Sequence, residues 1–246
     1  WLLAGFRGVA EGVAAETART DDDPVRLAAA CGFVADPWQA GFLRSAHLRV
    51  LLNCSRQSGK STVAALRALH LALTRADSLI LCLAPAERQA REMFRKIAEG
   101  YRALGRPVAS ETENKLELEL ANGSRIVALP GKEGTIRGYS GAALLLIDEA
   151  SRVDDDLYKA VRPMLAVSGG QLVALSTPFG KRGWWYHAWS EGGPDWRRVE
   201  APASECPRIS PAFLAEERRA LGEAWYLQEY FCSFQDAVSA VFRHED

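Results

Sequence analysis

The segment Cys54-Ser55-Arg56-Gln57-Ser58-Gly59-Lys60-Ser61 has the residue types and spacing of a loop that cradles phosphates. In such a loop Lys60 reaches the β- and γ-phosphates and the Ser61 hydroxyl ligates Mg²⁺. Backbone N–H groups of Ser55, Arg56, Gln57, Ser58, Gly59, Lys60, Ser61 and Thr62 hold phosphate oxygens at a helix N-terminus. The pattern G-x-x-x-x-G-K-[ST] is met at every fixed position but the first, where Cys54 stands for Gly. A second chemically able pair, Asp148-Glu149, ends the apolar run Ala143-Leu144-Leu145-Leu146-Ile147. Asp148 is suited to hold Mg²⁺, directly or through water, and Glu149 to polarise an attacking water. Gly-Lys-Ser alone is a common tripeptide, and an Asp-Glu turn after a strand is commonly just solvated. The two together, in this order, point to a nucleotide hydrolase that uses Mg²⁺.

These residues need elements that bring them to one place. Val50-Leu51-Leu52 lies in a strand at about 49–54, followed by an amphipathic helix with Val63, Leu66, Leu69 and Leu73 at helical spacing. Residues 78–84 form a second apolar strand, and about 86–104 a charged helix with Ala90, Met93, Phe94 and Ile97 on one face. Residues 115–120 alternate strictly and turn at Asn122-Gly123 into Arg125-Ile126-Val127-Ala128-Leu129, which predicts a hairpin with one wet face. The acidic strand at 143–149 is buried and parallel, with its carboxylates at the C-terminal edge where ligands of open α/β sheets sit. A helix is expected from about 154 to 166, a core strand at 171–175, another strand at 196–201, and helices at about 211–221 and 223–231. Upstream, residues 1–31 read as irregularly helical, with Asp23-Pro24 a helix start. Strands alternating with helices give an α/β sheet, mostly parallel at its centre.

Composition narrows the class. With 246 residues, 48% of them hydrophobic, the chain can bury one large domain or a domain with a subdomain. A net charge of −1 supplies no global field for nucleic acid, although a local patch or a ring still can. The five cysteines are scattered without a C-x-x-C pair, which suits a reducing compartment. Cys54 and Cys82 sit in apolar runs and read as small buried hydrophobes. The four histidines show no metal-ligand spacing, and no apolar run approaches the roughly 20 residues of a membrane span.

Further candidates each have an ordinary alternative. Trp38-Gln39 precedes the loop; Gln reads the N6/N7 edge of adenine and the ring can pack near the base, or the pair is a helix start with a buried Trp. Arg137, eleven positions before Asp148 on a Gly-flanked stretch, is a phosphoryl-transfer finger or a solvated loop Arg. Arg56 reaches a phosphate or an acidic partner. Ser176-Thr177 senses the γ-phosphate or caps a turn. Trp184, Trp185, Tyr186 and Trp189 read as a satellite core or an interface rather than a base-stacking groove.

In combination, Pro37-Trp38-Gln39, Ser55 to Ser61, Ile136-Arg137-Gly138, Leu146 to Ala150 and Ser176-Thr177-Pro178 resemble the ATPase domain of the large terminase subunit. That subunit is the motor that packages DNA into tailed-bacteriophage capsids. The resemblance spans roughly residues 30–235. It implies a P-loop NTPase of the additional-strand catalytic-glutamate type, with a mainly parallel sheet flanked by helices and a β-hairpin extension. It implies an N-terminal helical segment (1–35), an ATPase core (36–205) and a C-terminal helical lid or linker (206–246) leading toward a nuclease domain that this chain lacks. No nuclease activity is therefore expected from this fragment.

By the same likeness Lys60 and Ser61 bind phosphate and Mg²⁺, Asp148 is the metal acid and Glu149 the catalytic base. Arg137 is a finger acting on a neighbouring subunit, Arg56 the arginine of the loop, Ser176-Thr177 the coupling motif and Gln39 the adenine reader. The implied partners are double-stranded DNA, the portal protein and the small terminase subunit. A homo-oligomeric ring is implied in the assembled motor and a mostly monomeric isolated fragment. The implied place is the host cytoplasm, docked at the procapsid. A helicase-like translocase is the alternative enzyme, but the ~70 residues after Ser176 are too few for the second domain it needs. A non-hydrolytic assembly module has no need of both Asp148 and Glu149.

Overall fold

The computed structural model describes residues 22–131 and 138–236. Eight strands form one sheet: β1 (Arg49–Cys54), β2 (Leu79–Ala84), β3 (Ser110–Glu113), β4 (Glu117–Leu120), β5 (Arg125–Pro130), β6 (Leu144–Asp148), β7 (Gln171–Ser176) and β8 (Arg197–Ala201). Their order across the sheet is β3-β4-β5-β2-β6-β7-β1-β8. The six strands from β5 to β8 in that order run parallel, and β3 and β4 add antiparallel to the β5 edge. β7 is the additional strand, inserted between the loop-bearing β1 and the acidic β6.

The uninterrupted apolar runs follow from burial on both faces. Along β1, β2, β6 and β7 successive side chains alternate between two cores. Val50, Leu52, Ile80, Cys82, Leu144, Leu146, Val173 and Leu175 face one layer. Leu51, Leu81, Leu83, Leu145, Ile147, Leu172 and Ala174 face the other. The first layer is covered by α1 (Pro24–Ala30), α2 (Pro37–Leu43), α3 (Lys60–Thr74) and α4 (Glu87–Ala103). The second is covered by α5 (Asp155–Val161) and α6 (Gly183–Ser190). The C-terminal pair α7 (Pro211–Leu221) and α8 (Glu223–Phe231) packs around a smaller cluster of Ala203, Tyr226 and Tyr230.

Three expectations change. β5 forms the expected hairpin with β4 but has no wet face: it also pairs parallel with β2, and Ile126, Val127, Ala128 and Leu129 are all buried between the two layers. Only β4 keeps the alternation, with Leu118 and Leu120 in and Glu117 and Glu119 out. The helix expected to about 166 ends at Val161 and continues as a 3₁₀ turn, Arg162–Leu165, because Pro163 lacks the N–H that the α ladder needs. β3, a short polar edge strand, gave no apolar signal. The start at Asp23-Pro24 is as expected, with the Asp23 carboxylate accepting the Val25 N–H at 3.1 Å. The reading of residues 1–21 as helical lies outside the described residues.

Candidate functional site

Between β1 and α3 the chain makes the loop Ser55–Gly59, with left-handed backbone at Gln57 (φ 59°) and Gly59 (φ 85°). A side chain at Gly59 would also meet the Gln39 amide, since a Cβ there would lie 2.9 Å from Nε2. Cys54, at the position where the motif has Gly, is still the last residue of β1, paired with Ala201 and without positive φ. The turn begins one residue later, so position 54 needs no glycine.

Two loop N–H groups are engaged: Ser55 donates to the Ala201 carbonyl and Arg56 to that of Glu229, both at 2.9 Å. The N–H groups of Gln57, Ser58, Gly59, Lys60, Ser61 and Thr62 have no acceptor among the described residues. Unengaged N–H groups at the start of a helix are what an anion binds there. The outward carbonyls are braced instead. Ser55 O accepts the Ser58 hydroxyl at 2.9 Å and the buried Lys60 ammonium at 3.5 Å. Ser58 O accepts Gln39 Nε2 at 2.8 Å and Arg208 Nη2 at 3.3 Å.

The acids arrive from β6. Asp148 is 7% exposed and accepts the Ser61 hydroxyl at 3.3 Å and the Glu149 N–H at 3.0 Å. Burial, then the adjacent Glu149 carboxylate, pushes the Asp148 carboxyl up to about 6, while Lys60 opposes the rise. Glu149 takes a left-handed conformation (φ 49°, ψ 43°) that costs a non-glycine residue roughly 1–3 kcal/mol. It opens the 3₁₀ turn Ala150–Arg152 and stays half-buried at the C-terminal edge of the sheet. From β7 alongside, the buried Ser176 hydroxyl reaches Ser151 in that turn, and Thr177 is buried next to it. Lys60, Ser61, Asp148, Glu149 and Ser176 therefore share one sheet edge.

Gln39, the expected adenine reader, sits directly against the phosphate loop. It is fully buried, its Oε1 accepts the Asp36 N–H at 2.8 Å, and its Nε2 holds Ser58 O. In this structure it buckles α2 to the loop. Trp38 is half-buried against the first core layer. Arg56 turns its exposed guanidinium toward the buried Glu229 carboxylate, 3.6 Å away. Arg137 lies outside the described residues. The aromatic stretch is core: Trp184 and Trp185 are buried, and Trp184 stacks on Tyr158 at 3.8 Å. Asp36, Ser151, Arg208 and Glu229 were not singled out from sequence. Asp36, just before Pro37 at the start of α2, carries only the signal of a helix start, and the other three carry no local motif.

Among the described residues no group of three or more His, Cys, Asp and Glu converges on a metal position. Mg²⁺ does not require one, because it keeps waters and substrate phosphate oxygens as ligands alongside one or two protein groups. The Ser61–Asp148 pair fits that demand. No helix among the described residues is long and apolar enough to cross a membrane.

Residues 51–246 match the family described as terminase large subunit, T4-like-virus type, N-terminal. The terminase large subunit of Escherichia phage T5 is 26% identical over 204 residues, covering 80% of this chain and 46% of that protein. The chain thus spans about half the length of the curated relatives it matches. The ATPase domain of the Thermus phage P74-26 large terminase superposes with a TM-score of 0.76 at 22% identity, covering 85% of this chain and 97% of that one. The large terminase of another thermophilic bacteriophage, in complex with ADP, gives 0.67 at 11% identity, covering 81% and 53%. At these identities the structural likeness speaks for the fold, an α/β P-loop architecture with a mostly parallel sheet between helices.

Proposed function

We propose that this chain, which belongs to the terminase large-subunit family, hydrolyses ATP and thereby drives translocation of double-stranded viral DNA into a procapsid. The observation that carries this reading is the convergence of Lys60, Ser61, Asp148 and Glu149 beside six unengaged N–H groups at one sheet edge. The N–H groups and Lys60 bind and orient the β- and γ-phosphates. Ser61 and Asp148 would hold Mg²⁺, which when bound neutralises phosphate charge. Glu149 accepts the proton of the attacking water as its oxygen bonds to the γ-phosphorus and the bond to the β–γ bridging oxygen breaks. Ser176 and Thr177 report the state of the site to the neighbouring strand, and Trp38 lies near the adenine. Arg137, supplied by an adjacent subunit, stabilises charge in the transition state.

The same reading gives the C-terminal helices the role of a lid. It gives the assembled protein a ring form, with the portal protein and the small terminase subunit as partners, at the procapsid in the host cytoplasm. The test is phosphate release from ATP by Lys60→Ala. The variant should not turn over ATP and should bind it more weakly, because it removes the cation that meets the phosphates. Near-normal turnover would overturn the assignment.

A further inference from the structure

Arg208 follows the 3₁₀ turn Ala203–Glu205 and lies far along the chain from the phosphate loop, yet its guanidinium ends at that loop. It forks onto the Asp36 carboxylate, with Nη1–Oδ1 at 3.0 Å and Nη2–Oδ2 at 2.6 Å. Asp36 is only 9% exposed, and its own N–H donates to Gln39. Arg208 and Gln39 then meet on one atom, the Ser58 carbonyl oxygen. Three chain regions thus close a ring of polar contacts around the outer face of a single loop peptide.

That peptide lies between two left-handed residues, Gln57 and Gly59. Its orientation decides whether the neighbouring N–H groups point inward at an anion. A carbonyl held by a neutral amide and a guanidinium keeps that peptide in one orientation.

We propose that Arg208 is a positioning residue for the phosphate loop: through Asp36 and Ser58 it links seating of the C-terminal helix pair α7–α8 to nucleotide affinity. The inference rests on the nucleotide-binding reading above. Because coupling between sites is reciprocal, bound nucleotide must in turn steady the segment that carries Arg208.

The experiment measures binding of a fluorescent ATP analogue and steady-state turnover for wild type, Arg208→Lys, Asp36→Asn, the double variant and Lys60→Ala. Arg208→Lys keeps the charge but loses the fork that reaches both Asp36 and Ser58. The expected result is roughly a tenfold rise in Kd and KM, about one charge-assisted hydrogen bond, with kcat within about twofold. The double variant should be no weaker than the worse single one, since both break the same link. Hydrogen exchange adds a readout that a merely structural role would not move. Amides of residues 211–231 should slow on nucleotide binding in wild type and respond less in Arg208→Lys. Should Arg208→Lys fail to fold, Asp36→Asn and the double variant, which leaves no unpaired buried carboxylate, make the same test.

Unchanged affinity in a folded variant, or a fall in kcat at constant KM, overturns the proposal while leaving the nucleotide site intact. A wild type that binds the analogue no better than Lys60→Ala overturns the nucleotide reading and this proposal with it.

Discussion

The Ser176 hydroxyl, at the end of β7, lies 2.8 Å from the Ser151 hydroxyl and accepts the Ser151 N–H at 3.2 Å. Ser151 sits in the 3₁₀ turn that Glu149 opens, so the additional strand and the acidic strand are tied just beyond the carboxylates. A shift of that turn would strain both contacts to Ser176.

Replacing Ser176 by Ala removes both contacts and leaves the Ser151 N–H without its partner. ATP affinity should stay within about threefold, while turnover falls on the order of tenfold as the Glu149 turn loosens, a loss of about one hydrogen bond's worth of positioning. Unchanged turnover, measured as phosphate release at saturating ATP, would make the Ser176–Ser151 contact purely structural.

The Asp148 carboxyl gives a pH-dependent stability prediction for the metal-free protein. In the folded chain it keeps its proton up to about pH 6, against the ordinary 3.8. The stability it contributes is therefore full below pH 3.8 and lost as pH rises through 6. Asp148→Asn does not titrate, and its amide oxygen can still accept the Ser61 and Glu149 donors. In EDTA at pH 8 the variant should be more stable than wild type by on the order of 2–3 kcal/mol, and the gap should close near pH 4. Denaturant melts at the two pH values measure it; a less stable variant at pH 8 would mean that the ionised carboxylate is a net support.

Cys54→Gly, which restores the missing motif residue, should not help. Residue 54 is extended, fully buried and part of β1. The glycine gains no conformational freedom that the loop uses, and it removes buried sulfur from the first core layer. We expect a loss of roughly 1–3 kcal/mol in a thermal or denaturant melt with no gain in ATP affinity. A tighter-binding variant would show that the turn begins at 54 after all.

How far the sequence carried differs by kind of feature. The strands of the central sheet were legible because they are buried on both faces, so Val50-Leu51-Leu52 and Leu144-Leu145-Leu146-Ile147 read as apolar runs. The helices expected at 211–221 and 223–231 are present, the first capped by the Ser210 hydroxyl accepting the Phe213 N–H at 3.2 Å, with Gly222 between them. Lys60, Ser61, Asp148 and Glu149 were legible because their chemistry repeats local motifs. The edge strand Ser110–Glu113 was not, since an exposed four-residue strand needs no apolar pattern. Nor was the Asp36–Arg208 pair, whose partners meet across 172 positions through tertiary packing. Gln39 shows the same limit: its type suggested a base reader, and nothing local announced its contact with the Ser58 carbonyl.

Arg137 acts between subunits in this account. Specific ATPase activity of the wild type should rise with protein concentration, and Arg137→Ala should flatten the rise without weakening ATP binding. Mixing Arg137→Ala with Glu149→Gln should restore activity in an assembled ring, because one chain supplies the base and its neighbour the finger, an effect of ~10³–10⁵ in rate where fingers operate. No recovery in an assembled mixture would leave Arg137 a bystander.

Glu149→Gln bears most directly on the central claim that this edge hydrolyses ATP. The amide keeps the shape of the side chain and the φ 49° turn but cannot take the water's proton. The measurement is nucleotide Kd and single-turnover phosphate release on the same preparation, wild type against variant. The account predicts a Kd within about threefold of wild type and a rate lower by ~10²–10⁴. Equal rates, or binding and turnover lost together, would contradict Glu149 as the base and with it the hydrolytic site at this sheet edge.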